Sequence, residues 1–468
     1  MVLIIAVKGL RIREILESSP VNDEITVQGW IRTRRDSKNL CFLEINDGSS
    51  LRNLQGVIDL ENLDLTGILE KLTTGASVEI RGKVQESPGA KQRMEIQVQA
   101  VQVIGDAPVE TYPLQKKRHS FEFLREIAHL RPRTNTLGAV ARIRNAMSFA
   151  IHTYFQERGF FYIHTPIIAA SDAEGAGEMF QVTTLPSGGS DSKGGGLDYD
   201  QDFFGKKTYL TVSGQLEAEV YALAMGNVYT FGPTFRAENS NTSRHLAEFW
   251  MIEPEMAFCD IECNMDLAEE FLKYLLNRLL EDNSEDMEFF NTWIQKGVVE
   301  NLSQVAGADF ARISYDEAIR ELQKAKVDFE FPTEWGADLQ SEHERYLTET
   351  VYGGPVIVTD YPKEIKAFYM KLNEDGRTVR AMDVLVPRLG EIIGGSERES
   401  DFSILQSRIR EQSLPEEQYW WYLDLRRYGS VPHSGFGLGF ERFIQYVTGM
   451  QNIRDVIPFP RTVNTAEF

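Results

Sequence analysis

Five strand-like runs separated by turn residues fill the first 105 residues, and this pattern constrains the fold more than any other feature of the chain. The runs are rich in β-branched and aromatic residues, and turn signals stand at Asp47-Gly48 and Pro88-Gly89. A short helical pattern at 66–72 separates the third run from the fourth. Five strands with a helix at this point are typical of an OB-fold barrel, whose strand 2–3 face binds oligonucleotides. The predicted strands are Glu24–Arg32, Leu40–Asn46, Leu54–Leu60, Ser77–Val84 and Arg93–Ile104.

The pattern changes after residue 136, where helical and strand periods mix. Apolar residues from Val140 to Glu157 have helical spacing that stops before Gly159, and an apolar strand containing Pro166 follows. Strands gathered into one sheet with helices outside it favour an α+β domain. Further strands are predicted at 209–212, 228–231, 249–256, 356–360 and 367–372, and helices at 266–280 and 315–323.

The segment between these two regions is rich in Lys and Arg from Lys116 to Arg133. A solvated linker and a contact to phosphates would both account for it, and the residues leave the choice open. Residues 1–135 have a net charge of +1 and the remainder has −22, so the N-terminal part can still bind a polyanion through a local basic patch. We therefore predict an OB-fold domain over 1–105, a basic hinge over 106–135 and an α+β catalytic domain over 136–468.

Three cysteines, Cys41, Cys259 and Cys263, are too few for the disulfide framework of a small secreted protein and suggest a reducing compartment. We expect Cys259 and Cys263 to be two small, partly buried side chains, because no further Cys or His stands near them to complete a zinc site. The opening apolar run from Val2 to Val7 is too short for a signal peptide, and no run reaches transmembrane length. We therefore expect a soluble, cytoplasmic protein with no membrane partner.

The segment 230–256 carries the strongest chemical signal in the chain. Its pattern is that of a strand, a polar loop and a returning strand, with Arg236, Glu238 and His245 around the mouth of the loop. A guanidinium matches phosphate oxygens, and the ring of Phe249 would suit the face of a nucleobase. An ordinary solvated hairpin would carry the same charges, so the residue types alone leave both interpretations open.

Two further segments are rich in glycine. Alternating glycines in 434–439 precede a predicted helix that opens with Glu441 and Arg442, and glycine there permits close backbone approach to a ligand. The other segment is EIIGGSER at 391–398. Its first residue, Glu391, and the preceding Asp383 are two carboxylates suited to hold Mg²⁺ between ATP phosphates. A glycine-rich strand–helix junction and a hairpin with surface charges are both common, so neither segment decides the function alone.

Taken together, these segments resemble the three signature motifs of the class II aminoacyl-tRNA synthetases. A helix, a strand and Pro166 over 142–168 resemble motif 1, FRAENSNTSRHLAEF within 230–256 resembles motif 2, and GLGFER within 434–447 resembles motif 3. The HIGH and KMSKS signatures of class I are absent. A barrel before such a core resembles the subclass of aspartyl-, asparaginyl- and lysyl-tRNA synthetases. SGQLEAE at Ser213, GEMFQV and DYPKEIKAFYMK are most similar to the bacterial asparaginyl enzymes.

The resemblance implies a ligase that activates L-asparagine with ATP and Mg²⁺ and transfers it to the terminal adenosine of tRNA(Asn). It implies catalysis by Arg236, Arg442 and Glu391 through positioning and charge stabilisation, without a protein nucleophile. A homodimer formed through motif 1 is also implied. The implied ATP-binding residues are Arg236, Glu238, His245, Phe249, Glu391 and Arg442, the metal ligands are Asp383 and Glu391, and the amino-acid-binding residues are Glu174, Ser213, Gln215, Glu253 and Arg398.

The same resemblance assigns the barrel to anticodon binding. In this family the position of Phe42 stacks on the central anticodon uridine, and Arg35 and Gln55 match positions that bind the edges of that base. Stacking on an aromatic side chain contributes about 1–3 kcal/mol per base. Without the basic residues on the preceding strand, Phe42 would be interpreted as an aromatic of the barrel core.

Two positions favour asparagine over aspartate as the substrate. Aspartate enzymes of this family have a lysine shortly after the glutamine that matches Gln215, whereas SGQLEAEVYA contains no lysine. The position of Glu253 is aspartate in those enzymes, and the longer glutamate would accept a hydrogen bond from an amide NH₂. A charge mismatch in a buried pocket is strongly unfavourable.

Three alternatives remain open at this point. A non-discriminating aspartyl-tRNA synthetase would share the fold and most of the motifs. A tRNA-independent, asparagine-forming ligase on the same core would generally lack an anticodon domain, which residues 1–105 supply. A catalytically silent RNA-binding protein would be expected to lack Arg236, Glu391 or Arg442, and all three are present.

Overall fold

The computed structural model describes residues 10–62, 65–89, 92–173, 178–186, 198–240 and 242–468. Glu174 and the opening run from Val2 to Val7 lie outside the described residues. The chain divides into two compact units, Met1–Arg142 and Ile143–Phe468. Within the described ranges, no helix is both long enough and apolar enough to cross a membrane.

The first unit contains the predicted barrel. Its elements are α1 (Ile12–Ser18), β1 (Glu24–Ser37), β2 (Leu40–Asn46), β3 (Leu54–Asp59), β4 (Ser77–Glu86), β5 (Met94–Gly105) and α2 (Phe121–Glu126). The strands close in the order β1-β2-β3-β5-β4, and alternate residues such as Leu43 and Ile80 fill the interior. The helix predicted at 66–72 is only a 3₁₀ turn over Leu69–Lys71, because Gly67 adopts a φ of +72°.

A bulge in β1 decides which side chains share the outer face of the barrel. Trp30 pairs with Asn46 and Arg35 pairs with Phe42, and the register between these pairs shifts by one residue at Arg32. Phe42 and Asn46 alternate with the fully buried residues of β2, so both point outward. Since directly paired residues of antiparallel strands point to the same side, Trp30 and Arg35 also point outward.

The strands of the second unit are β6 (Phe161–Tyr162), β7 (Ile168–Ala169), β8 (Gln181–Val182), β9 (Thr208–Leu210), β10 (Asn227–Phe235), β11 (Glu248–Ala257), β12 (Ala311–Ser314), β13 (Val356–Pro362), β14 (Thr378–Val386), β15 (Gly390–Glu397) and β16 (His433–Gly439). Eight of them form one large sheet in the order β12-β13-β14-β15-β16-β11-β10-β6. The other three form a separate sheet in the order β7-β9-β8. In the large sheet only the β6–β10 and β12–β13 pairs of the described strands are parallel. The predicted α+β architecture is confirmed, and it is the antiparallel-sheet architecture that a class II synthetase core implies.

Helices flank this sheet. They are α3 (Asn135–Glu157), α4 (Gln215–Met225), α5 (Ile261–Asp282), α6 (Ser284–Trp293), α7 (Val298–Gly307), α8 (Tyr315–Gln323), α9 (Ser341–Tyr346), α10 (Phe402–Glu411), α11 (Trp420–Arg427) and α12 (Phe440–Thr448). Helix α3 begins at Asn135, earlier than the predicted start at residue 140, and continues into the second unit. The helices predicted at 266–280 and 315–323 are confirmed as α5 and α8.

The predictions of a strand through Pro166 and of a strand at 367–372 were wrong. The apolar run around Pro166 divides into β6 and β7, which belong to different sheets, and Pro166 between them has no N–H to continue a ladder. The run at 367–372 turns instead of extending, since the Met370 N–H donates to the Ala367 carbonyl (3.3 Å). Phe368 within that turn is fully buried in a cluster of apolar side chains, and this burial accounts for its strand-like pattern.

The expectation that Cys259 and Cys263 are separate side chains was also wrong, because they form a disulfide. Asp260 caps the first turn of α5, and the tight turn from β11 into this helix brings the two cysteine Cα atoms to 5.5 Å. Cys41 is a free thiol inside the barrel, and burial raises its pKa to about 12.

Candidate active site

A cavity of about 730 Å³ opens on the large sheet of the second unit. Its walls come from β11, β14, β15 and β16 and from the turn at 364–370. Its volume is within the usual range for small-molecule sites. The predicted site residues that line it are Ser213, Gln215, Arg236, Glu253, Asp383, Glu391 and Arg398.

Arg236 stands where the chain leaves β10 and enters the loop 236–247. Its backbone N–H donates to the Ala247 carbonyl (3.0 Å) and closes the base of that loop. The Arg236 guanidinium lies 5.5 Å from the centre of the Phe249 ring on β11. A cation and an aromatic face therefore lie close together at the base of this loop.

Asp383 on β14 and Glu391 on β15 approach the same point of the cavity. A Cβ built on Gly394 would lie 3.1 Å from Glu391 Oε1 and 3.5 Å from Asp383 Oδ1, so glycine leaves the space between the carboxylates open. Lys366 Nζ donates to Asp383 Oδ2 (2.7 Å). Burial raises the pKa of Asp383, with Lys366 opposing this rise and the charge of Glu391 adding to it.

Arg442 lies in the first turn of α12, and its Nη1 donates to Glu391 Oε2 (3.3 Å). The preceding residue, Glu441, is buried and accepts a hydrogen bond from the Trp250 N–H (2.8 Å). Glu441 also pairs with Arg144 (2.8 Å). Glu441 therefore fixes the start of the helix, and Arg442 is directed to the carboxylates of the cavity.

Arg398 follows β15 and is only 2% exposed. Its guanidinium forms two hydrogen bonds with the Glu255 carboxylate, of which the Nε–Oε2 distance is 3.2 Å. Its Nη1 also donates to Ser396 Oγ (2.7 Å). Burial raises the pKa of Glu255, Arg398 opposes this rise, and the nearby charge of Glu219 reinforces it.

Glu219 on α4 connects this pair to a second buried arginine. Its carboxylate accepts hydrogen bonds from Arg426 (2.9 Å) and Tyr422 (2.7 Å), and His433 Nε2 lies 3.0 Å from it. It is also 3.9 Å from Arg398 Nε. Although burial alone would raise the pKa of Glu219, Arg426 and His433 hold that pKa well below its ordinary value. The carboxylates of Glu219 and Glu255 and the guanidiniums of Arg398 and Arg426 thus compensate one another's charges in the protein interior.

Glu253 lies on the same side of β11 as Glu255 because strand side chains alternate. Its carboxylate accepts hydrogen bonds from Ser213 Oγ, from the Gly214 N–H (3.0 Å) and from Thr230 Oγ1 (3.0 Å). Glu253 therefore lines the cavity and also holds the loop that leads into α4.

Four of the six predicted ATP-binding residues do not line the cavity, namely Glu238, His245, Phe249 and Arg442. Glu238 and His245 are exposed on the loop 236–247. His245 Nδ1 lies 2.5 Å from Thr242 Oγ1 and 3.1 Å from Ser240 Oγ, so the ring is held within the loop.

The glycines of β16 serve strand packing as well as the cavity. A Cβ on Gly435 would lie 2.3 Å from the Pro254 carbonyl oxygen. Gly437 lines the cavity, and a Cβ built there would lie 2.7 Å from Met251 Cε. The prediction that these glycines admit a ligand was therefore wrong for Gly435, where the close neighbour is strand β11.

Sequence reasoning missed several charged residues of the site. Glu255, Glu219 and Lys366 stand in segments that had been singled out, and the two-residue period of β11 already placed Glu255 beside Glu253. Glu344 gave no signal in the sequence. It is buried on α9, accepts a hydrogen bond from the Glu391 N–H (3.1 Å), and burial raises its pKa to about 8.

The predicted anticodon residues share the outer face of the barrel in the first unit. The Arg35 guanidinium lies 4.8 Å from the centre of the Phe42 ring. Gln55 on β3 pairs with Glu44 of β2, and its Nε2 donates to Glu95 Oε2 (2.9 Å). An aromatic face, a cation and an amide thus lie on one surface, where an unpaired base could be stacked and hydrogen bonded.

Residues 120–463 match the family model described as tRNA synthetases class II (D, K and N), and residues 25–104 match the OB-fold nucleic acid binding domain. The chain therefore belongs to the class II tRNA synthetases of the D, K and N group. Within that class, identities of 62% and 63% over 98% of its length with two asparagine–tRNA ligases make it a member of the asparagine–tRNA ligase family.

The asparagine–tRNA ligase of Synechocystis sp. is 62% identical over 98% of this chain and 99% of its own length. The asparagine–tRNA ligase of Treponema denticola is 63% identical over 98% of this chain and 99% of its own length. A solved structure of asparaginyl-tRNA synthetase from Pyrococcus horikoshii, complexed with asparaginyl-adenylate, is 34% identical. It aligns over 98% of this chain and 100% of its own with a TM-score of 0.86.

Proposed function

We propose that this chain attaches L-asparagine to tRNA(Asn), first forming asparaginyl-adenylate from ATP and then transferring the amino acid to the terminal adenosine. One observation carries the proposal. A single cavity is lined by Arg236, which suits phosphate, by the carboxylates of Asp383 and Glu391, and by the buried Arg398, which suits a side-chain carbonyl.

The first step needs no protein nucleophile. The asparagine carboxylate attacks the α-phosphorus of ATP, a carboxylate–phosphorus bond forms, the bond to the bridging oxygen breaks, and pyrophosphate leaves. Arg236 stabilises the charge that develops on the α-phosphate. Phe249 and Arg442 enclose the adenine, while Glu238 contacts the adenine side and His245 reaches the γ-phosphate from the loop 236–247.

Asp383 and Glu391 are the proposed Mg²⁺ ligands. Their fit rests on the open space at Gly394, which both carboxylates approach within 3.5 Å. Mg²⁺ is usually held by one or two carboxylates together with substrate phosphates. When bound, the ion would neutralise charge on the phosphates.

The amino acid is proposed to lie beside Arg398, with its main-chain end held by Ser213, Gln215 and Glu174. Arg398 donates to the side-chain carbonyl, and Glu253 accepts from the amide NH₂. The negative charge of Glu253 would repel aspartate, whose side-chain carboxylate offers no donor.

The activity is tested by ATP–pyrophosphate exchange with every standard amino acid, with and without tRNA. We expect exchange with asparagine alone. Comparable exchange with aspartate would identify a non-discriminating aspartyl enzyme instead. Formation of free asparagine from aspartate and ammonia without tRNA would identify a tRNA-independent ligase.

Glu253→Gln is expected to lower the asparagine-to-aspartate ratio of kcat/KM roughly fivefold or more, because a neutral acceptor binds the amide more weakly and the repulsion of aspartate is relieved. Both substrates should lose activity, since Glu253 also holds Ser213 and Gly214; the ratio isolates selectivity from that loss. Glu364→Gln, an exposed glutamate lining the same cavity, is the matched control. An unchanged ratio in folded protein would assign amide recognition to another residue.

Phe42→Ala is expected to reduce tRNA charging at least fivefold by removing a stacking surface, with little effect on pyrophosphate exchange. Every described residue that lines the large cavity belongs to the second unit, whereas Phe42 lies in the first. Phe42→Tyr keeps the ring and should charge tRNA normally. If exchange fell as far as charging, Phe42 would have a structural role.

We further propose a homodimer formed through the motif 1 region. The support is a group of exposed apolar side chains on α3, β6 and β7, namely Phe149 (73% exposed), Phe161 (50%), Tyr162 (46%) and Ile168 (40%). Light scattering at micromolar concentration should give the mass of a dimer. Phe149→Glu should shift the measured mass toward that of the monomer. Phe203→Glu changes another exposed phenylalanine and should leave the mass unchanged. A monomeric parent protein would contradict the proposal.

We also propose that residues 1–105 bind the anticodon, that 106–135 form the hinge, and that 136–468 carry the catalysis. Because its partner would be tRNA, we propose that the enzyme acts in the cytoplasm.

A further inference from the structure

A second cavity, of about 260 Å³, lies within the first unit. One wall is the outer surface of the barrel at Trp30 and the loop 48–51, and the other is the segment 132–142. The anticodon residues Arg35, Phe42 and Gln55 do not line it. Its volume is close to the lower end of the range for small-ligand sites.

Three arginines line this cavity, and none of its described lining residues is acidic. Arg32 Nη2 donates to Asn135 Oδ1 (2.7 Å) and Arg142 Nη1 donates to the Gly48 carbonyl (3.2 Å), so these hydrogen bonds hold two of the guanidiniums at the cavity wall. Burial lowers the pKa of Arg32; Tyr112 and the Glu44 carboxylate oppose this change, and the positive charge of Arg142 adds to it. An anion in the cavity would compensate the two effects that lower this pKa.

The third arginine is associated with an aromatic ring. The Arg133 guanidinium lies 5.8 Å from the centre of the Trp30 ring. Trp30 is 43% exposed although it is a large apolar side chain. A ring beside a guanidinium is the arrangement on which proteins stack the bases of single-stranded nucleic acids.

The cavity also lies on the surface that carries the anticodon residues. The bulge at Arg32 turns Trp30 to the same outer face as Arg35 and Phe42. Trp30 pairs with Asn46, four residues along β2 from Phe42, a separation of roughly 13 Å along the strand. One oligonucleotide strand can extend over that distance.

We propose that this cavity binds a single ribonucleotide unit, with its base against Trp30 and its phosphate among Arg32, Arg133 and Arg142. The same chemistry is presented by a free nucleoside monophosphate and by one nucleotide of a tRNA. The proposal does not depend on which amino acid the enzyme activates.

The test compares Arg133→Gln and Trp30→Ala with matched controls. Arg81→Gln removes an exposed arginine from β4 of the same barrel, outside the cavity, and Trp30→Phe keeps an aromatic ring. One arm measures by calorimetry the binding of AMP, GMP, CMP and UMP to the full-length enzyme. Because AMP also enters the catalytic cavity, the difference between each variant and its control isolates the second site. The other arm measures tRNA affinity as a function of salt concentration.

We expect Arg133→Gln and Trp30→Ala to weaken binding about fivefold or more in at least one arm, while Arg81→Gln and Trp30→Phe stay within about twofold. Loss in the first arm identifies a free nucleotide. If only tRNA affinity falls, the site binds a nucleotide of the tRNA. For Arg133→Gln the slope of the logarithm of the tRNA-binding constant against the logarithm of salt concentration should then decrease in magnitude by about one. Unchanged binding in both arms would overturn the proposal. An equal loss of pyrophosphate exchange in Arg133→Gln would overturn it too, because Arg133 would then support the fold.

Discussion

Replacing Arg236 with alanine is expected to lower asparagine-dependent ATP–pyrophosphate exchange about 10²–10³-fold. The guanidinium lines the large cavity and lies 5.5 Å from the Phe249 ring, so it stands at the proposed phosphate position. Removing one fixed donor from developing charge on a transferring group costs about 3–4 kcal/mol in the transition state. The loss should appear in kcat more than in KM for asparagine, because asparagine is bound by other residues.

The matched control is Arg377→Ala. The Arg377 guanidinium also lies over an aromatic ring, that of Trp335 at 4.4 Å, but it is exposed and does not line the cavity. This variant should retain normal exchange. Near-normal exchange by folded Arg236→Ala would refute the assignment of motif 2 to phosphate binding.

The sequence predicted best those elements whose residues interact locally. Helix α8 has the bounds predicted for it, because Ser314 and Glu317 form a capping box that fixes its start. Strand β2 also has its predicted bounds, since its buried and outward residues alternate without interruption. In both elements the deciding contacts lie within a few residues of one another.

Features that depend on distant parts of the chain could not be predicted in this way. The strand-like run at 367–372 is a turn because its aromatic residues pack into a cluster that includes Tyr419 and Tyr422. The bulge at Arg32 has no glycine or proline to mark it in the sequence. The hydrogen bonds of Glu253 to Ser213 and Gly214 join residues about 40 positions apart, and no local period indicates them.

The charge network around Arg398 shows the same limit. The resemblance assigned Arg398 to the amino acid, but the structure pairs it with Glu255 and places it 3.9 Å from Glu219, which are 143 and 179 residues earlier in the chain. Arg398 is therefore held in place before any substrate binds. Its guanidinium serves both the fold and the proposed substrate contact, and these two roles can be separated by mutation.

Arg398→Gln is expected to abolish measurable asparagine activation and to lower the free energy of unfolding by about 3–5 kcal/mol. The activity is lost because glutamine cannot replace the charged donor to the substrate carbonyl. The stability is lost because Glu255, which is fully buried, keeps its carboxylate without its partner. Pyrophosphate exchange measures the first effect and thermal unfolding the second.

The double variant Arg398→Gln with Glu255→Gln separates the two roles, because it removes both members of the buried pair. This variant no longer leaves the buried carboxylate of Glu255 without its partner, so the Tm should return part of the way to that of the parent protein. Exchange should remain absent, since the charged donor is still missing. If exchange returned together with the Tm, Arg398 would contribute to the site only through the fold, and the proposed contact to the asparagine side chain would be wrong.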